Sequence, residues 1–309
     1  MSRSLGFVGG PSRTVRSRTV RVSRPDPLPP PSVERVTNPD RLLLQWNAWM
    51  VLFHAALAVL TASVGKLDLE VPVYKTRINV TIYGNGSDTE WELVPLYEPA
   101  GHLPFTWLVI VFFLLSALFH LLNVTLLRRL YLDALAQCRT PTRWIEYFFS
   151  APVMYVVIAY TLGIRNRSVL LAGAALVATT MPYGYWVELQ ARPRTADEWT
   201  TPLSTRLLPW WLGHIPQTAA WGLILLQFYD GHDLTNRAPW FVFVILWVEL
   251  VLFFSFGIAS LISQVNPPRH FYRGELAFQV LSLLSKGLLG VLLIANVLMF
   301  SSFDEALQQ

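Results

Sequence analysis

The chain has 309 residues, of which 53 % are hydrophobic and 14 % charged, with a mean hydropathy of +0.41. Soluble domains carry about 25 % charged residues, so this composition excludes an ordinary soluble fold, and its long apolar runs indicate a polytopic membrane protein. The formal charge of +4 is no nucleic-acid signature, because the arginines follow topology, and the single cysteine, Cys138, excludes an intrachain disulfide or a thiolate metal cluster.

Residues 1–41 are rich in Arg, Ser and Pro. They are expected to form a disordered basic tail, partly polyproline-like, with no apolar core of signal-peptide length. Spanning segments are predicted at 42–64, 104–126, 144–164, 168–190, 207–228, 239–263 and 275–301. Each is near the roughly 20 residues that a helix needs to cross hydrocarbon. The expected fold is therefore all-α, a seven-transmembrane-helix bundle, with one membrane domain over 42–309.

His54 falls in the middle of the first span. In the loop 65–103, Ile78, Val80 and Ile82 alternate with polar residues, and Gly84-Asn85-Gly86 precedes Trp91 and Leu93, which predicts a β-hairpin. Asn79 and Asn85 each head an Asn-X-Ser/Thr triplet, a weak glycosylation signal. The second span carries His120, the third begins close to Glu146, and the fourth ends at Glu188. A lone intramembrane histidine often hydrogen-bonds a neighbouring helix. The competing reading joins His54, His120 and Glu188 in a polar inner cavity that handles protons.

Trp210, Trp211, Trp221, Phe243 and Trp247 lie in the fifth and sixth spans. Membrane aromatics mostly pack or form interfacial belts. Trp221, the deepest, is the favoured wall for a ligand, with Phe243 and Trp247 beside it. Glu249 sits mid-span in the sixth segment, in Leu246-Trp247-Val248-Glu249-Leu250-Val251. An intramembrane acid is a functional candidate by default; the alternative is a carboxyl hydrogen-bonded across helices. No metal-ligand pair at helical spacing, no nucleophile-and-base set and no phosphate loop is readable, so neither a metal nor an enzymatic activity is expected.

Lys286, in Leu281-Ser282-Leu283-Leu284-Ser285-Lys286-Gly287, is the only lysine in the last two hundred residues. An ammonium at mid-span costs roughly 2.5–3.5 kcal/mol, and its neighbours leave it too deep to snorkel. It therefore needs an acid partner, as a structural ion pair or a gate, or covalent chemistry such as a Schiff base with an aldehyde. Lys and Arg number 17 on the side of the N-terminus and 6 on the other, or 9 against 6 without the tail. That bias places the N-terminus inside, the C-terminus outside and the hairpin on the outer face.

The third-span run Arg143-Trp144-Ile145-Glu146-Tyr147-Phe148-Phe149-Ser150-Ala151 and the seventh-span Ser282-Leu283-Leu284-Ser285-Lys286 together resemble the heliorhodopsins. So do Ser116-Ala117-Leu118-Phe119-His120-Leu121-Leu122 and Leu208-Pro209-Trp210-Trp211-Leu212-Gly213. The resemblance covers roughly 42–300. It implies seven helices of inverted orientation and all-trans retinal bound to Lys286 as a protonated Schiff base. It makes Glu146 the counterion, with Ser150, Met154 and Ser282 among the retinal contacts, and it implies a light-sensing photoreceptor in a lipid bilayer. It further implies a homodimer and an unidentified signalling partner. Ser282 stands one turn before Lys286, where light-driven pumps place a second acid, which argues for sensing. Glu249 departs from the family pattern and favours light-gated proton conduction instead. A non-retinal transporter gated by the Lys286–Glu146 pair is the further alternative.

Overall fold

The computed structural model describes residues 39–84, 90–193, 198–231 and 238–299. Most of the tail, Asn85 and the tip of the expected turn lie outside the described residues.

The chain is mostly helical. Helix α1 covers Pro39–Val64, α2 Phe105–Val124, α3 Arg128–Ala136, α4 Pro141–Thr161, α5 Arg167–Gln190, α6 Leu203–Arg206, α7 Leu208–Gly231, α8 Trp240–Val265 and α9 Phe271–Leu293, the last continued by a π-helical turn at Ile294–Leu298. Five of these, α1, α2, α5, α8 and α9, are long and apolar enough to cross a membrane. Helices α4 and α7 have comparable lengths, 21 and 24 residues, but polar and proline residues dilute them. Leu52, Val59, Leu226 and Val251 stand more than half exposed on the outer faces, the distribution expected of helices solvated by lipid.

Between α1 and α2 runs an antiparallel hairpin, β1 Glu70–Tyr83 and β2 Glu90–Pro104. Its base is tied to the bundle: Tyr160 Oη donates to the Pro72 carbonyl at 2.9 Å, Tyr74 N to the Arg165 carbonyl at 2.9 Å, and Asn166 Nδ2 to Thr76 Oγ1 at 2.9 Å. Asn166 also caps α5 by accepting from the backbone N–H groups of Ser168 and Val169. Asn79 is exposed on β1.

Two expectations need correction. The segment 127–143, read as a loop, contains α3, and α4 starts at Pro141 rather than 144. Helix α3 is built of good helix formers and buries Tyr131, Ala134 and Leu135, which share one face; Tyr131 and Leu135 join Leu43, Cys138 and Phe271 in a small core. The earlier start of α4 places Arg143 inside the bundle instead of at its edge.

Candidate functional site

Lys286 lies on α9, at 4 % exposure. Its Nζ donates to Glu146 Oε1 of α4 at 2.7 Å and also to Ser116 Oγ of α2, and it sits 5.2 Å over the Tyr147 ring. Three helices thus converge on one cation, which answers its cost in hydrocarbon with a carboxylate, a hydroxyl and an aromatic face. Ser116 was not singled out from the sequence. Its signal was its spacing: His120 follows four residues later on the same helical face.

Lys286 lines a cavity within the bundle, shared with α4, α5, α7 and α8. Ser282 and Ser285 line it from α9, Tyr147, Ser150 and Met154 from α4, Phe253 and Phe256 from α8, and Gly213, His214 and Gln217 from α7. The walls are aromatic: Tyr147, Phe256 and Phe278 pack with ring centroids 5.4 to 6.4 Å apart, and Trp144 meets Phe278 edge-on at 5.8 Å. Gly184 of α5 admits Trp144, since a Cβ there would lie 2.0 Å from the indole.

Of the aromatics named from the sequence, Trp210 lines the cavity, while the three favoured ones do not. Phe243 and Trp247 are 41 % and 47 % exposed on the outer face of α8, while Trp221 is buried behind Phe253 at 5.2 Å. Helical phase explains this. At 100° per residue, Trp247 lies about 200° from Glu249, which is on the buried side.

His54 and His120 come together, stacked with ring centroids 5.8 Å apart. His120 Nδ1 meets Asn47 Oδ1 at 2.8 Å. An amide oxygen only accepts, so Nδ1 carries the hydrogen and Nε2, which is buried without a partner, is the acceptor. Asn47 Nδ2 donates to Tyr131 Oη at 3.1 Å, Tyr131 Oη donates to Glu275 Oε1 at 3.2 Å, and Arg143 joins Glu275 to Glu188. Glu188 is completed by the Thr140 backbone N–H at 2.7 Å and hydroxyl at 3.0 Å. The three residues expected in one inner cavity are instead spread along this network, and His54 meets it by stacking on His120, its two ring nitrogens without hydrogen-bond partners. His54 and His120 lie near the lysine, Glu188 lies at the far end, and Asn47, Tyr131, Arg143 and Glu275 connect them. Those four went unnoticed because their burial depends on α3 and on the start of α4. Burial, with Glu275 adding to it, pushes the Tyr131 phenol well above its ordinary range, so it stays a donor.

Glu249 is fully buried. Ser285 Oγ, the residue before Lys286, donates to its Oε2 at 2.6 Å, and its Oε1 has no partner. Among the described residues no group of His, Cys, Asp or Glu could hold a metal ion.

The fold is similar to that of xanthorhodopsin, a light-driven ion pump with dual chromophore, with a TM-score of 0.57 at 13 % identity, covering 87 % of this chain and 96 % of that one. No protein of curated function matches the sequence. The model of the heliorhodopsin family matches residues 43–298. The chain therefore belongs to the heliorhodopsin family, retinal-binding photoreceptors of the membrane.

Proposed function

We propose that the chain carries all-trans retinal on Lys286 as a protonated Schiff base, with Glu146 as counterion, and acts as a light sensor. The Lys286–Glu146 contact at 2.7 Å, beside an aromatic-walled cavity, carries this reading. The residues fit such a group: a buried primary amine at one end, apolar and aromatic walls, and a Ser150 hydroxyl buried without a partner. When bound, retinal supplies visible absorption and a light-driven change of shape. Glu146 and Ser116 hold positive charge at Nζ, and the Tyr147 face shields it from lipid. Ser282 puts a hydroxyl one turn before Lys286, so a single carboxylate meets the amine. His54 and His120 offer an acceptor one turn from Ser116 where a proton can be held.

The bundle is read as seven spans, with α4 and α7 completing the five apolar ones, the N-terminus cytoplasmic and the tail and membrane domain dividing near residue 41. Protease added to sealed vesicles tests the side on which the tail lies. Lys286→Ala is expected to abolish the visible band of protein supplied with all-trans retinal. A variant that kept its colour would refute the assignment, and a wild type that never bound retinal would leave a transporter gated by the Lys286–Glu146 pair.

One observation favours a second reading, light-gated proton conduction. Glu249 is a buried acid joined through Ser285 to the residue next to the reactive lysine. It lies on the opposite side of α9 from the histidine network, and a proton path through Lys286 would need an acid there.

A further inference from the structure

Resting on the reading of the cavity as a retinal site, we propose that this site selects a retinal whose ring carries a hydroxyl group, which Gln217 and His214 of α7 accept. Helix α7 packs against α5 and α8, and α9 packs against α8 and α1, so α7 faces Lys286 across the bundle. Residues of both helices line the cavity, Lys286 from α9 and Gly213, His214 and Gln217 from α7. A chromophore attached at Lys286 and filling the cavity directs its ring toward α7.

That end is not apolar. Gln217 is 5 % exposed, and its side-chain oxygen has no hydrogen-bond partner. Buried carbonyl oxygens are nearly always satisfied, and one left unpaired weakens whatever fills the space beside it. His214 is three residues earlier, on the same face of α7. Its Nδ1 lies 2.7 Å from the Trp210 carbonyl oxygen, which can only accept. Nδ1 therefore carries the hydrogen, and in that tautomer Nε2 is the acceptor nitrogen. Gly257 makes room for that edge: a Cβ there would fall 2.6 Å from His214 Nε2. Trp210 Nε1 is spent on the Gly257 carbonyl at 2.8 Å, so it does not compete.

The cavity thus offers two acceptors at the end away from the lysine, within otherwise aromatic walls. A hydrocarbon ring satisfies neither. A hydroxyl donates its hydrogen to one of them, whereas a ring ketone has no hydrogen to give. Sites built to bond a hydroxyl discriminate strongly against the analogue without it.

The test is competition. Retinal-free protein is given equal amounts of all-trans retinal and its ring-hydroxylated analogue, and the chromophore is extracted and quantified by chromatography. Wild type is expected to hold the hydroxylated form in about five- to tenfold excess, the gain of one neutral hydrogen bond. Removing both acceptors, in Gln217→Leu with His214→Phe, should bring the ratio to about one, and far-UV circular dichroism of the double variant shows that it folds. Equal uptake by wild type, an undiminished preference in the double variant, or a preference for ring-keto retinal overturns the proposal while leaving the retinal reading intact. No pigment with either aldehyde overturns both.

Discussion

A single cation in hydrocarbon dictates most of the chemistry around Lys286. Glu146 answers it directly, so the two charges set one another's state. Glu146→Gln is expected to move the visible band to longer wavelength, because the positive charge is no longer pinned at the nitrogen. Loss of the band on alkalinisation should begin at lower pH than in wild type. An unchanged spectrum and titration would move the counterion role to another acid, Glu249 first. In the middle of the network the decisive group is Tyr131, which bonds both Asn47 and Glu275. Its phenol is raised in the folded state by burial and by Glu275, so its contribution to stability is complete below the unfolded value of about 10 and is lost as pH rises above it. Tyr131→Phe, which also gives up hydrogen bonds worth about 1 kcal/mol, should be less stable than wild type near neutrality. The gap should narrow as pH climbs past about 10. Thermal unfolding of both proteins in detergent across that range would show it, and a constant gap would contradict the assignment.

Among the elements, the hairpin stands out for what it leaves uncovered. Val80 faces Leu93, Ile82 faces Trp91 and Ile78 faces Pro95 across the ladder, so these six lie on one face. Five of them, Pro95 aside, are more than half exposed. An apolar strand face of this kind calls for a partner, and we propose a second copy of the chain. Sedimentation in mild detergent is expected to show a dimer, weakened by Ile82→Asp with Trp91→Asp. A monomer under all conditions would remove the idea. Helix α3 shows the opposite situation, a short amphipathic segment whose apolar face is fully used, and through Tyr131 it carries the inner network to Glu275.

For the molecule as a whole, the surroundings of Lys286 govern whether light yields a signal or a current. Two polar regions flank Lys286. His120 stands one turn from Ser116, whose hydroxyl Lys286 bonds, and Glu249 accepts from Ser285, the residue before Lys286. If they communicate through the lysine, illumination lets protons flow down the membrane potential, which supplies about 2.3 kcal/mol per charge per 100 mV. Whole-cell voltage clamp under light is then expected to show a current that reverses with voltage and disappears in Glu249→Gln. A normal visible photocycle without current in wild type leaves sensing through a separate partner protein and makes Glu249 a structural hydrogen-bond acceptor.

The sequence by itself determined the membrane class, the hairpin and the pairing of Lys286 with an acid. Each of these rests on a local or one-dimensional quantity: the length of an apolar run, a two-residue alternation, or the cost of a charge too deep to snorkel. His54, His120, Glu188 and Glu249 were legible for the same reason, as polar residues stranded within apolar runs. Tertiary structure alone decided which of them meet. Arg143 and Glu275 stand at the edges of their spans and read as interfacial until the early start of α4 and the packing of α3 enclose them. The aromatic walls went the same way. Phe243 and Trp247 have the right composition but the wrong helical phase, and only the packing of α8 against α4 and α9 turns Phe253 and Phe256 inward in their place.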